Sequence, residues 1–346
     1  MQIGVGLDAR LGLSFEQHRE MAGAAARLGY QSLWSPAGAT GLDSFHVCAA
    51  WNQASGLETG ISVVPAPNWT VPTLASEAAT VGLMSGGKFI LGIGPGGAYT
   101  AGYRRTFGLP DARPVAEMRA YLTTLRGLLA GERVEYEGAG VTLHGVALGF
   151  KPPRVPVYLA ALGPMMLRLA GELADGVTPN WSTPEQIAWC RQRVAEGARK
   201  AGRDPDEVPF AQYIRVCVDE DEAAARRAFA AQVLSYAMAR PGASKEHGYR
   251  AHFARMGFGP ALDELEALRD AGTPEAQLVE RIDPSLLLKV GYFGRPAGAA
   301  AHFRRLAEGL DTAMVRIIAA RPGTDAVRLA MEACRPELLG AASMSS

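Results

Sequence analysis

The feature that most constrains this chain is an alternation. Short apolar runs rich in β-branched residues take turns with longer stretches whose apolar positions recur near every 3.6 residues. Gln2–Leu7, Gln31–Ser35, Gly60–Val64, Lys88–Ile93, Val157–Ala161, Gly176–Pro179, Phe210–Val218 and Thr312–Ala319 read as eight strands. Phe15–Leu28, Asp43–Ser55, Thr73–Leu83, Val115–Leu129, Met165–Leu173 and Glu185–Gly202 read as the helices between them, and Ala326–Arg335 closes the series. Strands and helices alternating in this way point to a closed parallel barrel or a large open sheet. A length of 346 residues suits a decorated (β/α)8 barrel.

Two stretches break the rhythm. Glu132–Gly149 sets Val134, Tyr136, Val141 and Leu143 between glycines and reads as a hairpin or an irregular excursion. The run from Glu220 to Leu310 shows no obvious strand, so a helical insertion over about 220–310 is expected after the seventh strand. No internal repeat or low-complexity linker divides the chain. One domain over 1–340 is expected, with a flexible tail at 341–346.

Lysine plus arginine and aspartate plus glutamate balance at 35 each. No basic excess points to nucleic acid or to an anionic membrane, so a small anionic ligand would need local positive groups or backbone donors. Cys48, Cys190, Cys217 and Cys334 are scattered, contain no CxxC pair and read as buried thiols. His247 and His252 stand five apart, off a single helix face, and no metal site is expected. The opening MQIGVGLDAR reads directly as a strand without a basic-then-apolar leader, and no stretch approaches a membrane span. A cytoplasmic protein is the expectation.

Gly92, Gly94 and Gly97 spell a formal GxGxxG. A dinucleotide fingerprint needs that pattern at a tight strand-to-helix turn. Here Gly92 lies within an apolar strand and the next strong helix starts only near Val115, so the context is wrong. A strand running into a flexible loop is one account of these glycines. The other is a strand end where the missing Cβ lets a flat ring lie against backbone. Farther on, Val157-Tyr158-Leu159-Ala160-Ala161-Leu162-Gly163-Pro164 reads as a strand, a small-residue turn and a proline near the first helical position. The free N–H groups and dipole of such a helix start suit a phosphate, although ordinary βα turns look alike.

Three segments together resemble the luciferase-like flavin and deazaflavin oxidoreductases. They are Ser85-Gly86-Gly87-Lys88-Phe89-Ile90-Leu91-Gly92-Ile93-Gly94, the stretch Pro156–Pro164 with Leu169-Ala170-Gly171-Glu172-Leu173-Ala174-Asp175-Gly176 after it, and Glu196-Gly197-Ala198-Arg199-Lys200-Ala201-Gly202-Arg203-Asp204-Pro205. Lys88 stands where the family usually has arginine. Glu117–Glu135 matches a recurring helix, and order and spacing agree from residue 1 to about 335. The resemblance implies a TIM barrel with an insertion after strand seven and a ring-bearing cofactor at the C-terminal mouth.

It further implies a non-proline cis peptide at Ser62-Val63, with Gly94 and Gly96 near the ring or its chain. Ala161, Leu162 and Gly163 would then offer N–H groups to the phosphate. Flavin-binding members commonly place an arginine just after the fourth strand. Pro95 stands there instead, which favours coenzyme F420 over FMN, although Arg104 and Arg105 lie close by in a loop the sequence does not place. Several deazaflavin relatives carry an Asp-His pair after strand two; Ala37 and Gly38 occupy its place, so no catalytic residue is assigned.

Asp8, ending the first strand, and Trp181, after the sixth, are the candidates for the substrate side of the mouth. Asn180 and Trp69 are further mouth candidates, whereas Tyr292 and Phe293 read as structural. Arg226, Arg227, Arg240 and Lys245 of the insertion could draw in an acidic cofactor tail, although a solvated helix face explains them as well. The expected function is hydride transfer between F420 and a small organic substrate, in a chain resembling relatives that often form homodimers. An FMN-dependent monooxygenase is the alternative, and a non-catalytic cofactor-binding barrel is a third reading. A lyase or isomerase would need a lysine or paired carboxylates at strand ends, which are not evident.

Overall fold

The computed structural model describes residues 1–38 and 40–340; the tail expected at 341–346 lies outside the described residues. Among the described residues eleven strands form, in chain order β1 Gln2–Gly6, β2 Ser32–Ser35, β3 Glu58–Pro65, β4 Phe89–Gly94, β5 Val134–Gly138, β6 Val141–Val146, β7 Val157–Ala160, β8 Gly176–Thr178, β9 Ala211–Val218, β10 Gly291–Gly294 and β11 Thr312–Ile317. Nine make a parallel sheet in the order β10-β9-β11-β1-β2-β3-β4-β7-β8, and β5 and β6 form a separate antiparallel hairpin. Single parallel bridges, Val177 to Phe210 and Asn180 to Tyr213, set β8 beside β9.

The sheet curls because its two faces bury different things. Outward residues such as Ile3, Leu33, Ile61, Leu91 and Val315 join the main core under the helices. Inward residues Trp34, Ile90, Tyr158, Ala211, Tyr213 and Met314 form a cluster of their own. Side chains from β2, β4, β7, β9 and β11 meet there only because the sheet wraps around them. Glycines face the large rings: a Cβ on Gly60 would lie 2.5 Å from the Trp34 indole, and one on Gly176 would lie 2.5 Å from Tyr158. Small opposite large is how a narrow interior reaches native density.

The eight expected strands are present, and the glycine-flanked excursion at 132–149 is a hairpin. Two expectations need correction. The stretch between β9 and β11 is not free of strands, because β10 adds in parallel to the end of β9. The loop expected around Arg104 and Arg105 contains the helix Ala101–Phe107, capped by Thr100 at its start and by left-handed Gly108 at its end. The helices between β9 and β10 build a second core around Phe229, Phe253, Phe258 and Leu262, and it also takes in Trp181 and Cys217 from the sheet side. Among the described residues, no helix is long and apolar enough to cross a membrane.

Candidate active site

Side chains alternate along strands, so the inward positions just beyond the aromatic plug form one ring at the C-terminal mouth. They are Ser62 on β3, Gly94 on β4, Ala160 on β7, Thr178 on β8, Arg215 on β9 and Arg316 on β11, with Asp8 just past β1. The Ser62 and Thr178 hydroxyls share a hydrogen bond of 3.0 Å. The Ser62-Val63 peptide is cis, and the β3–β4 register shifts between Ile61 and Val64. Gly94 has a reason within the fold itself. A Cβ there would lie 2.8 Å from the Ala160 Cβ and 3.1 Å from Val63 Cγ2, so the glycine admits the β3 bulge. Gly96, at φ 53°, sits where a Cβ would meet the Pro65 Cβ at 2.7 Å.

The small-residue corner lies on the same rim. Ala161 donates its N–H to the Thr178 carbonyl at 3.4 Å, which ties the corner to β8. Gly163 is the N-cap of the ten-residue helix Pro164–Leu173, and no side chain caps it. No atom stands within 4 Å of where its Cβ would be. The first N–H groups of a helix have no intrahelical partner, and the dipole favours an anion beside them.

Arg255, from the insertion, donates to the Leu162 carbonyl at 3.0 Å. The sequence reading missed this residue. Its only signal was local, three positions after His252, a spacing that places both on one helical face. The basic residues named from sequence lie elsewhere. Arg226 pairs with Glu280 and Lys245 with Asp263 and Glu266, while Arg227 and Arg240 are exposed.

His252 stands behind Arg255. Its Nδ1 lies 3.2 Å from Arg255 Nη2, and its Nε2 lies 3.3 Å from both the Trp181 carbonyl and the Ser182 hydroxyl. Burial, then the neighbouring Arg255 charge, push its pKa down to about 4. The unfolded chain therefore binds this proton more readily than the folded one between about pH 6.5 and 4, so stability falls as pH falls through that window. From pH 7 to pH 5, wild type is expected to lose about 2 kcal/mol more than His252→Gln in urea unfolding. Equal losses in the two proteins would remove His252 from the account.

Asp8 is at the mouth, as expected, but it is not a free acid. Its Oδ2 accepts from Arg10 Nε at 2.9 Å and from Arg316, and its Oδ1 accepts the Arg10 N–H at 2.7 Å. Burial opposes its charge, but Arg316 and Arg10 prevail and hold the carboxyl below its usual range. The Trp181 indole offers no open stacking face. It is buried against Phe229, Tyr236 and Phe253, with the Arg215 guanidinium 3.7 Å from its centroid. The residue holds φ at 55°, a conformation costly for a bulky side chain. Asn180 bridges the sheet and the insertion, accepting from Arg215 at 2.7 Å and donating to the Tyr249 hydroxyl at 2.7 Å.

Trp69 packs edge-on against Phe45, and the Tyr292 hydroxyl donates to the Arg295 carbonyl. Phe293 packs on Phe229. Arg104 is not a loose cation, since it is buried and forked onto Glu117. Ala37 and Gly38 line an open cleft of about 270 Å³ together with Asp8, Arg10, His18 and Tyr236. Among the described residues, no cluster of three or more His, Cys, Asp or Glu side chains is set to hold a metal ion.

Fold and rim define the class: an α/β protein with a curled parallel sheet whose polar groups gather at the C-terminal mouth, the face on which barrel enzymes carry their chemistry. The chain belongs to the luciferase-like monooxygenase family, whose model matches residues 1–313. It is 32% identical over 249 residues to the 5,10-methylenetetrahydromethanopterin reductase of Methanolobus tindarius, covering 72% of each chain. Its fold is similar to that of the coenzyme F420-dependent tetrahydromethanopterin reductase of Methanopyrus kandleri, with a TM-score of 0.76, 22% identity and 98% of each chain covered. An F420-dependent secondary alcohol dehydrogenase in complex with an F420–acetone adduct has a TM-score of 0.72 at 19% identity, also covering 98% of each chain.

Proposed function

We propose that this chain is an F420-dependent oxidoreductase that moves a hydride between the deazaflavin and a small organic substrate. The likeness to a methanopterin reductase across 72% of both chains carries the reading most directly. One observation within the molecule agrees with it: a bare helix start at Gly163 opens on the same rim as the Ser62-Val63 bulge, with Arg255 alongside. An anionic, ring-bearing group fits such a setting, because N–H groups and a cation face one part of it and tightly packed small residues the other.

When bound, F420 supplies or accepts the hydride at its ring. Ser62, Val63, Gly94 and Gly96 would back that ring, and the N–H groups of Leu162 and Gly163 would hold the phosphate, with Ala161, whose own N–H goes to the Thr178 carbonyl, shaping the corner rather than donating to it. Asp8 fixes Arg10 and Arg316 at the substrate side of the mouth, where positioning does most of the work that hydride transfer asks of a protein. We read the fold as a (β/α)8 barrel forming one domain over 1–340, with an insertion over about 220–310, and the functional unit as a homodimer.

The corner can be tested without disturbing the fold. Gly163→Asp places a carboxylate at an extended N-cap, where Asp ordinarily stabilises a helix. The variant is expected to unfold no earlier than wild type, yet to bind F420 about tenfold more weakly, because the new charge sits where the phosphate would. Unchanged F420 affinity would remove the corner from the site. Tight binding of FMN by wild type, with none of F420, would transfer the chain to the flavin monooxygenase reading.

A further inference from the structure

The mouth holds more buried positive charge than its own carboxylate balances. Arg215 on β9 and Arg316 on β11 stand opposite one another in register on adjacent strands, about 4.8 Å apart in backbone terms. Both point inward and both are buried. Like charges directly opposite across strands destabilise a sheet, and burial raises the cost.

The available counter-charge is small. Asp8 meets Arg316 but is shared with Arg10. Among the described residues, Arg215 has no carboxylate partner; it donates to the neutral Asn180 amide and lies over the Trp181 and Tyr236 rings, at 3.7 and 5.3 Å. Desolvation draws its pKa down to about 10. Arg316 Nη1 is buried without a partner, and so is the Tyr213 hydroxyl, whose ring lies 4.8 Å from the Arg316 guanidinium. Burial raises the Tyr236 hydroxyl's pKa, but Arg215, Arg10 and Arg316 outweigh it and hold the group below its usual range.

Asp8, Arg10, Arg215 and Arg316 line an open cavity of about 410 Å³ together with Gln232 and Ser235 of the helix Glu222–Ala237. We propose that Arg215 and Arg316 form an oxyanion subsite, and that the substrate is a small organic molecule carrying a carboxylate or phosphate group that docks there. Guanidinium forks match both groups in geometry and tolerate desolvation better than ammonium does. The pair stands two and three strands round the sheet from β7, the strand that leads into the Gly163 corner, and no corner residue lines this cavity. Gly6 supports the pair from β1, since a Cβ there would lie 2.5 Å from the Tyr213 ring and 3.2 Å from Arg316 Cδ.

The inference that the occupant is a substrate rests on the oxidoreductase reading, but the subsite can be tested without F420. Inorganic phosphate and acetate serve as probes, with chloride at matched ionic strength as the control, and thermal unfolding as the readout. Wild type and Gly163→Asp are both expected to be stabilised by phosphate beyond the chloride control. In the Gly163→Asp background, where the corner no longer takes up phosphate, Arg215→Met is expected to weaken phosphate binding at least about tenfold. It is also expected to unfold no earlier than wild type in chloride, because it removes a buried charge that lacks a counter-ion. Should Arg215→Met fail to fold, Arg215→Lys decides, with an expected loss of about threefold or more from losing the fork.

Phosphate stabilisation retained by Arg215→Met in the Gly163→Asp background, or by Arg215→Lys there where that variant decides, overturns the subsite. So does a wild-type response no greater than chloride, or phosphate stabilisation lost in Gly163→Asp. Acetate binding that is insensitive to both arginine variants confines the subsite to phosphate. Normal phosphate binding in a protein that binds no F420 would leave the subsite standing and fell the F420-dependent reading.

Discussion

Glu117→Ala is expected to destabilise the protein by about 3–5 kcal/mol, because it strands a buried guanidinium. Arg104 lies on the short helix Ala101–Phe107, and Glu117 on Pro114–Leu129. Both are 4% exposed. The Arg104 fork reaches the two Glu117 oxygens at 3.3 and 2.5 Å, and its other donors meet the carbonyls of Ala98 and Pro110. Among the described residues, no other carboxylate pairs with Arg104, and water reaches so enclosed a charge only by opening the segment.

The double replacement Arg104→Met with Glu117→Leu is expected to cost far less than the single one, since two apolar side chains neither need solvation nor leave a charge unpaired. Urea midpoints for the single and double variants, at unchanged slope, decide the matter. A single-variant loss below about 1 kcal/mol would mean that the pair behaves as a solvated surface bridge. The pair also fastens the segment that leaves β4 beside Gly94 and Gly96, so the single variant is expected to weaken F420 binding as well.

The parts of this molecule that local pattern specifies could be read before any coordinates. Strands such as Gly60–Val64 and Phe210–Val218 announce themselves by short runs dominated by apolar and β-branched residues, as strands of a buried parallel sheet do. The corner at Ala161–Gly163 was legible because a strand, small residues and a proline follow one another directly. β10 was not, because the four residues Gly-Tyr-Phe-Gly are too short for periodicity to register, and their pairing with the end of β9 is a tertiary fact. The helix Ala101–Phe107 escaped for the same reason, at seven residues.

The arginine cluster at the mouth was hidden more deeply. Asp8 and Arg10 are near neighbours, but Arg316 comes 308 positions after Asp8 and Arg215 lies far from both in sequence, and only the register of β1, β11 and β9 brings them together. Trp181 was correctly placed at the strand end, but nothing in its surroundings along the chain tells that the insertion closes over the ring. Gly94 was legible as a strand-end position without a Cβ, but that Val63 and Ala160 stand where the Cβ would be is again a matter of register.

Gly197→Ala is expected to destabilise the protein by about 3 kcal/mol, although alanine is the better helix former by about 1 kcal/mol in an exposed helix. The helix Pro184–Lys200 crosses Pro164–Leu173, the helix that begins at the Gly163 corner, with backbone against backbone. A Cβ on Gly197 would lie 1.9 Å from the Arg168 carbonyl oxygen, and one on Gly171 would lie 2.0 Å from that of Val194. No flexible side chain is available to yield, so the helices must separate. Gly102→Ala is the control, in the helix Ala101–Phe107 with no neighbour within 4 Å of its new methyl; there the helix propensity alone should act, and stability should rise by about 0.5–1 kcal/mol.

Opposite signs for the two substitutions would show that close approach, not propensity, fixes glycine at 197. Separation of these helices also carries the uncapped N–H groups at Gly163 away from β8, so F420 affinity is expected to fall in Gly197→Ala and stay unchanged in Gly102→Ala. If Gly197→Ala were as stable as wild type, the helices would have room to spare. The corner would then owe its position to the Ala161–Thr178 hydrogen bond and to Arg255 alone.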